Sequence, residues 1–150
     1  MTEKVDEQYM REALKEAEQA LPSRDRPVGA LIVHGGRVIG RAHHQVRLLR
    51  DPTAHAIIIA ITQAASTLQS DQLLEATTYV TQEPCAMCVG ALLAGSVSRL
   101  VFGAPDPKAG ACGSAVDLTS NERLNRRLTV TKDVLIGECA ALLRRATVIV

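Results

Sequence analysis

One histidine and two cysteines stand where helices are about to begin, and no other feature constrains this chain as tightly. Pro84-Cys85-Ala86-Met87-Cys88 lies where a β-branched, aromatic stretch gives way to small, helix-compatible residues. A C-x-x-C pair at such a junction has three readings: a zinc site, a redox pair, or two buried cysteines. The stretch Asp51-Pro52-Thr53-Ala54-His55-Ala56 decides among them, because it puts an imidazole in the first turn of a separate helix. One imidazole and two thiolates are three protein ligands, and a water in fourth place makes the open, catalytic form of a zinc site. Two converging helix N-termini, each carrying partial positive charge, favour thiolate and hydroxide there. His55, Cys85 and Cys88 are the expected ligands of Zn2+, which would lower the pKa of its water to ~7.

The rest of the chain supplies a scaffold for such a site. Val5, Tyr9, Met10, Ala13, Leu14, Ala17 and Leu21 recur at spacings of three and four, which predicts an amphipathic helix ended by Pro22. Val28–Val33 and Arg37–Gly40 flank Gly35-Gly36 and predict a hairpin. The polar, basic run from His43 to Asp51 reads as a loop. Asp51-Pro52-Thr53 then offers capping chemistry before a helix from Ala54 to Leu68. Strands are expected at Thr77–Thr81, Ser98–Phe102 and Leu128–Thr131, and helices at Cys85–Ala94 and Val134–Arg145. Pro105–Gly113, with two Pro and two Gly, reads as a loop. Alternating strands and helices predict a single α/β domain over residues 1–150: a three-layer α/β/α sandwich with a five-stranded sheet and helices on both faces.

Composition narrows the function classes. The chain has 150 residues, 47% hydrophobic and 22% charged, with a net charge of +1. That is a globular protein without a global basic field. One Phe, two Tyr and no Trp argue against a surface that binds single strands through rows of stacked aromatics. No apolar run approaches the roughly 18 residues of a membrane span. The polar, acidic start from Met1 to Glu7 does not read as a secretory signal, and four cysteines do not make a disulfide scaffold. The expected location is the cytoplasm. Cys112 and Cys139 lack a partner pattern and read as small buried residues.

His55-Ala56 followed by Pro84-Cys85-Ala86-Met87-Cys88 resembles the zinc-dependent cytidine deaminase superfamily. Pro27-Val28-Gly29-Ala30, Asp51–Ala56, Gly103–Gly110 and Glu138–Leu143 bring the resemblance closer, to the bacterial tRNA adenosine deaminases. It runs from about Tyr9 to Leu143. It implies a cytidine deaminase-like fold with a mixed sheet, a homodimer, and hydrolytic conversion of the wobble adenosine of a tRNA to inosine. It also implies that Val28, His44, Pro84, Asp106 and Lys108 border the substrate. The helix that begins near Cys85 is expected to carry the dimer contact, with Met87, Val89, Leu92 and Leu93 as its apolar surface.

Three departures accompany the resemblance. Family members read His-Ala-Glu, where the Glu moves protons between water, ring nitrogen and leaving amine; here Ile57 holds that position. An isoleucine moves no proton, so activity is expected to be impaired. With Glu at 57 the run would read as an ordinary family member. Ile57 has two readings, packed in the core or facing the pocket. At position 44 the family has an Asn that contacts the nucleoside; His44 stands there, and a histidine can titrate near neutrality and so substitute in proton transfer. Glu83 matches the family's Glu beside the first cysteine and reads as a supporting group, not a shuttle. The last helix ends in Arg144-Arg145-Ala146-Thr147-Val148-Ile149-Val150 without the family's aromatics. Six basic residues (Arg123, Arg126, Arg127, Lys132, Arg144, Arg145) face three acidic ones from Ser120 onward, so the grip on a tRNA anticodon stem-loop is expected to be weakened. Two readings therefore stand beside the impaired tRNA deaminase: an inactive pseudo-deaminase that binds or dimerises with an active partner, and a deaminase of free nucleobases or nucleosides such as guanine or cytosine.

Overall fold

Alternation along the strands sorts the apolar side chains into two layers. In β1 (Gly29–His34) Ala30 and Ile32 join one buried cluster while Leu31 and Val33 join another. Tyr79 and Val80 in β3 (Thr77–Gln82) divide the same way, as do Val101 and its neighbours Leu100 and Phe102 in β4 (Arg99–Ala104). Strands buried on both faces need helices on both faces. The structure, a computed structural model, describes residues 2–147 and meets that requirement. Helices α3 (Ala56–Leu68) and α4 (Ala86–Ala94) cover one face through Ala56, Ile57, Ala60, Ala64, Val89 and Leu92. Helices α1 (Thr2–Glu18) and α5 (Ile136–Thr147) cover the other through Met10, Ala13 and Cys139.

The five strands run in the order β2-β1-β3-β4-β5, with β2 spanning Arg37–His43 and β5 spanning Thr129–Thr131. Pairs β1/β2 and β1/β3 are antiparallel; β3/β4 and β4/β5 are parallel. This is the expected mixed five-stranded sheet. The parallel step from β3 to β4 is a crossover through α4, so the start of α4 follows directly from the end of β3. Gly29 and Gly40 let the layers close, since a Cβ at either would strike the backbone oxygen of Ala13 in α1 or Ala60 in α3.

Several boundaries differ from the sequence reading. Helix α1 ends at Glu18, not at Pro22. Gln19, Ala20 and Leu21 donate to the carbonyls of Glu16, Ala17 and Glu18, so the chain has already tightened into i→i−3 turns before the proline. Strand β2 continues to His43, and the expected loop after it holds a one-turn helix, α2 (Val46–Leu49). Helix α3 begins at Ala56 rather than Ala54. Asp51 does not cap it: its Oδ1 accepts from the backbone N–H and hydroxyl of Thr53, forming a local turn. Helix α4 also corrects the expected dimer surface. Val89, Leu92 and Leu93 are buried against the sheet of their own chain, and only Met87 of that set reaches the surface, 37% exposed. The C-terminal departure at Val148–Val150 lies outside the described residues. No helix among the described residues is long and apolar enough to cross a membrane.

Layer α1 is fastened to the sheet by a buried polar triad. Asp6 accepts from Tyr79 Oη at 2.9 Å and from both terminal nitrogens of Arg99 at 2.9 and 2.7 Å, and Arg99 also donates to Thr131 Oγ1. Burial works to raise the pKa of Asp6, but the bonds from Arg99 and Tyr79 outweigh it and hold it below the ordinary value of 3.8. A carboxylate lowered in this way stabilises the fold above its unfolded pKa and ceases to do so as pH falls through its native one. Asp6→Asn is therefore expected to lose about 2 kcal/mol near neutral pH, from charge-assisted hydrogen bonds weakened. The gap from wild type should close below the ordinary carboxylate range; urea denaturation across pH measures it, and a gap that persists at the acid end would contradict this account.

Candidate metal centre

Two helix starts meet at the expected ligands. His55 is the N-cap residue of α3 and Cys85 the N-cap residue of α4, and both have extended backbone. An N-cap side chain ordinarily accepts from the first turn of its own helix. Neither of these does. Both side chains are left for one another: His55 Nδ1 lies 3.6 Å from Cys85 Sγ and 3.4 Å from Cys88 Sγ. The three donor atoms lie within 4.8 Å of one another, the spacing of ligands around a single cation. All four cysteines are free, so Cys85 and Cys88 keep their thiols. Hydrogen bonding from Cys88, then from His55, lowers the Cys85 thiol to about 3, while the same contact with Cys85, together with burial, pushes Cys88 upward. A soft, tetrahedral N/S donor set of this kind suits zinc.

Above the three ligands opens a cavity of about 390 Å³, within the range of small-molecule sites. Its walls include Val28, His44, Ile57, Pro84 and Asp106 besides the ligands. Both sequence readings of Ile57 hold together: the side chain is 2% exposed and packed in the core, and it forms part of the cavity wall. Hydrocarbon stands where the resemblance calls for a carboxylate.

His44 is held more tightly than a loop residue. Its Nδ1 accepts the backbone N–H of Ala56 at 3.0 Å, and its ring stacks on His55 with centroids 4.6 Å apart and planes 28° apart. An accepting Nδ1 places the ring proton on Nε2. Burial, then the neighbouring charges of His55 and Arg26, lower its pKa to about 3. Asp106 closes its own turn, accepting from the N–H groups of Lys108 and Ala109, and lies 3.7 Å from Arg26. Lys108 does not reach the metal cavity. It borders an adjoining cavity of about 800 Å³ together with Arg24, Arg26 and Arg47.

Glu83 is fully engaged. Its carboxylate accepts from the backbone N–H groups of Asp106, Cys112 and Ser114 and from the Ser114 hydroxyl. Burial raises its pKa, but these bonds outweigh burial and keep it below the usual value. Glu83 is thus the anchor of the 106–114 loop, which also pairs back to the site through Ala111 N–H and the Pro84 carbonyl. Gly110 belongs to the same device, because a Cβ there would meet the Glu83 carboxylate.

Sequence reasoning missed Asp25. It is buried and accepts from the first-turn N–H groups of Arg47 at 2.6 Å and Leu48 at 3.2 Å, capping α2 and holding Val46 and Arg47 on the cavity rim. The cap comes from a residue 22 positions away, so no local motif announces it.

Comparison with known proteins places the chain among deaminases. Residues 4–137 match the family model of the MafB19-like deaminases. The tRNA-specific adenosine deaminase of Bacillus subtilis is 42% identical over 138 residues, covering 92% of this chain and 86% of that protein. Its counterpart from Haemophilus influenzae is 45% identical over 136 residues, covering 90% and 79%. A structure from a study of A-to-I editing by tRNA:A34 deaminases superposes with a TM-score of 0.87 at 38% identity, covering 90% of this chain and 98% of that one. A guanine deaminase from Nitrosomonas europaea superposes with a TM-score of 0.81 at 27% identity, covering 95% and 84%.

The loop anchor yields a measurable expectation. Glu83→Ala removes the acceptor of four hydrogen bonds and leaves buried donors unpaired, at a cost of at least about 2 kcal/mol. Because the native pKa is lowered, this contribution is present above the ordinary Glu value of 4.5 and fades as pH falls through the native one. Chemical denaturation of wild type and variant at neutral and acid pH reads both the size and the sign.

Proposed function

This chain belongs to the tRNA-specific adenosine deaminase family of cytidine deaminase-like proteins, and we propose that it is a zinc-holding member whose own deamination chemistry is silenced at Ile57. Zinc, when bound by His55, Cys85 and Cys88, supplies a Lewis acid that makes a water nucleophilic near neutral pH. Everything else must come from side chains. Val28, Pro84 and the Ile57 wall offer apolar surface for a nucleobase. The step that fails is proton traffic. Hydrolytic deamination moves both protons of the water: one goes to a ring nitrogen as the oxygen bonds to carbon, and the other goes to the amine, which leaves as ammonia while the oxygen becomes a carbonyl. Ile57 offers neither a lone pair nor an acidic proton. Glu83 has its oxygens committed to the 106–114 loop. His44 has its Nδ1 lone pair committed to Ala56 and its other nitrogen already protonated, so it stands ready neither to take the proton nor, with its pKa lowered, to carry a second one.

The single observation behind this reading is a formed ligand set beside a hydrocarbon wall. General acid–base catalysis is worth about 10²–10⁴ in rate. At one zinc per chain, Ile57→Glu is therefore expected to form inosine in a tRNA anticodon stem-loop at least about 10² times faster than wild type. The assay should include adenosine, guanine and cytosine, because the likeness to a guanine deaminase favours a free-base substrate as the second reading. Equal rates on every substrate, at equal zinc content, would overturn the silent-site reading. Protein without zinc would overturn the ligand assignment.

A silent member acts by binding, and we propose a homodimer, or pairing with an active deaminase, in a reducing cytoplasm that suits its free thiols. Leu48, Leu49, Met87, Val116 and Leu124 are among the large apolar side chains at the surface. Light scattering at micromolar concentration is expected to give twice the chain mass, and a monomer would contradict it.

A further inference from the structure

We propose that His44 is a positioning residue of the metal centre, holding His55 in ligating orientation from outside its own helix. The inference rests on the zinc reading above. Helix α3 starts at the ligand itself: His55 is its N-cap, and the side chain there makes no capping bond. A ligand at an N-cap poses a conflict, because the donor atom that would satisfy the first turn is the one the cation needs. The structure satisfies one of the unpaired first-turn donors from elsewhere instead. His44 Nδ1 takes the Ala56 N–H, the first backbone donor of α3, at 3.0 Å.

The same ring does a second job. It lies against the His55 imidazole at a 4.6 Å centroid distance and 28° tilt, so the ligand ring has a flat neighbour on one face while its Nδ1 looks toward both sulfurs. His44 itself is fixed by backbone bonds on both sides. Its N–H donates to the Val28 carbonyl, and the N–H of Gln45 donates to the carbonyl of Ala54 just before the ligand, each at 3.0 Å. The end of β2 is thereby stitched to the approach of α3, with His44 inside the stitch. Groups that orient a ligating histidine typically change metal affinity by about 10–100-fold when removed.

Two variants separate the acceptor from the ring. His44→Asn can place its amide oxygen one bond from Cγ, where Nδ1 sits, and so keeps an acceptor for Ala56. His44→Phe keeps the ring and removes the acceptor. Zinc affinity is read by competition with a chromophoric chelator, ligand geometry by the visible absorption of the Co(II)-substituted protein, and the cap by hydrogen exchange of the Ala56 amide in metal-free protein. Circular dichroism reports folding. Expected for His44→Phe are a zinc Kd raised by about 10-fold or more, an altered Co(II) band and faster exchange at Ala56. His44→Asn, which keeps the acceptor and loses the ring, should keep the slow exchange and bind zinc more tightly than His44→Phe but less tightly than wild type. A His44→Phe protein with wild-type affinity and Co(II) spectrum would overturn the proposal, as would His44→Asn losing the Ala56 protection or binding zinc as weakly as His44→Phe. If His44→Phe does not fold, the Asn variant and its amide exchange decide alone. Wild-type protein that takes up no zinc would overturn the zinc reading and this one with it, whereas zinc bound equally by wild type and His44→Phe overturns this one only.

Discussion

Helices α3 and α4 begin against one another with their N-cap side chains unspent, and the site depends on that arrangement. A helix start exposes backbone donors and a partial positive charge. Two such starts side by side would repel unless something anionic or strongly accepting lay between them. Cys85 supplies that group. Its thiol is drawn down by its contacts with Cys88 and His55, which favours a thiolate between the two helix starts. A cation held there lets both sulfurs ionise, which is why the ligand set and the helix geometry support one another.

Backbone donors around the cavity are satisfied by side chains from other elements. The first turn of α3 takes its acceptor from His44, and the first turn of α2 takes its acceptor from Asp25. Glu83 gathers the N–H groups of a loop with little ladder pairing of its own. All three partners lie outside the element they satisfy. They border the same cavity, so its walls are joined by buried hydrogen bonds rather than by regular secondary structure. The polar tie on the opposite face, Asp6 with Tyr79 and Arg99, acts differently, fixing α1 to the sheet and leaving the site untouched.

Ile57 separates two properties that one helix turn usually joins. In the proposed reading zinc ligation rests on His55 and the cysteines, whereas the proton transfer that the resemblance assigns to a Glu two residues further on has no titratable group here. Ile57 sits in the first turn of a helix whose next residues are Ile58, Ile59, Ala60 and Ile61, and its side chain is buried in the apolar core between the helix and the sheet. Packing therefore accommodates an isoleucine at this point of the cavity wall.

Much of this was legible in the residues. Strand alternation, the helix periods of α1 and α3, and the five-strand count follow from where apolar side chains fall, because burial is decided by period alone. The candidate ligands were legible too, since their chemistry is carried by side-chain type and by nearness to a helix start, and the fold brings their donor atoms within 4.8 Å of one another. Boundaries were less so. Pro22 and Asp51 looked like stop and start signals, yet α1 ends four residues before the proline and α3 begins five after the aspartate, because hydrogen-bonded turns intervene. Met87, Val89, Leu92 and Leu93 looked like one surface, but the sheet of the same chain claims three of them. The layered α/β class, the His55-Cys85-Cys88 donor set and the missing carboxylate at 57 are all written in the order of residues alone. That His44 caps α3, that Asp25 caps α2, that Glu83 anchors a loop and that Lys108 faces a neighbouring cavity became visible only in the folded chain. A hydrogen bond between residues far apart in the chain leaves no periodicity and no local motif, and it exists only once packing has brought donor and acceptor together.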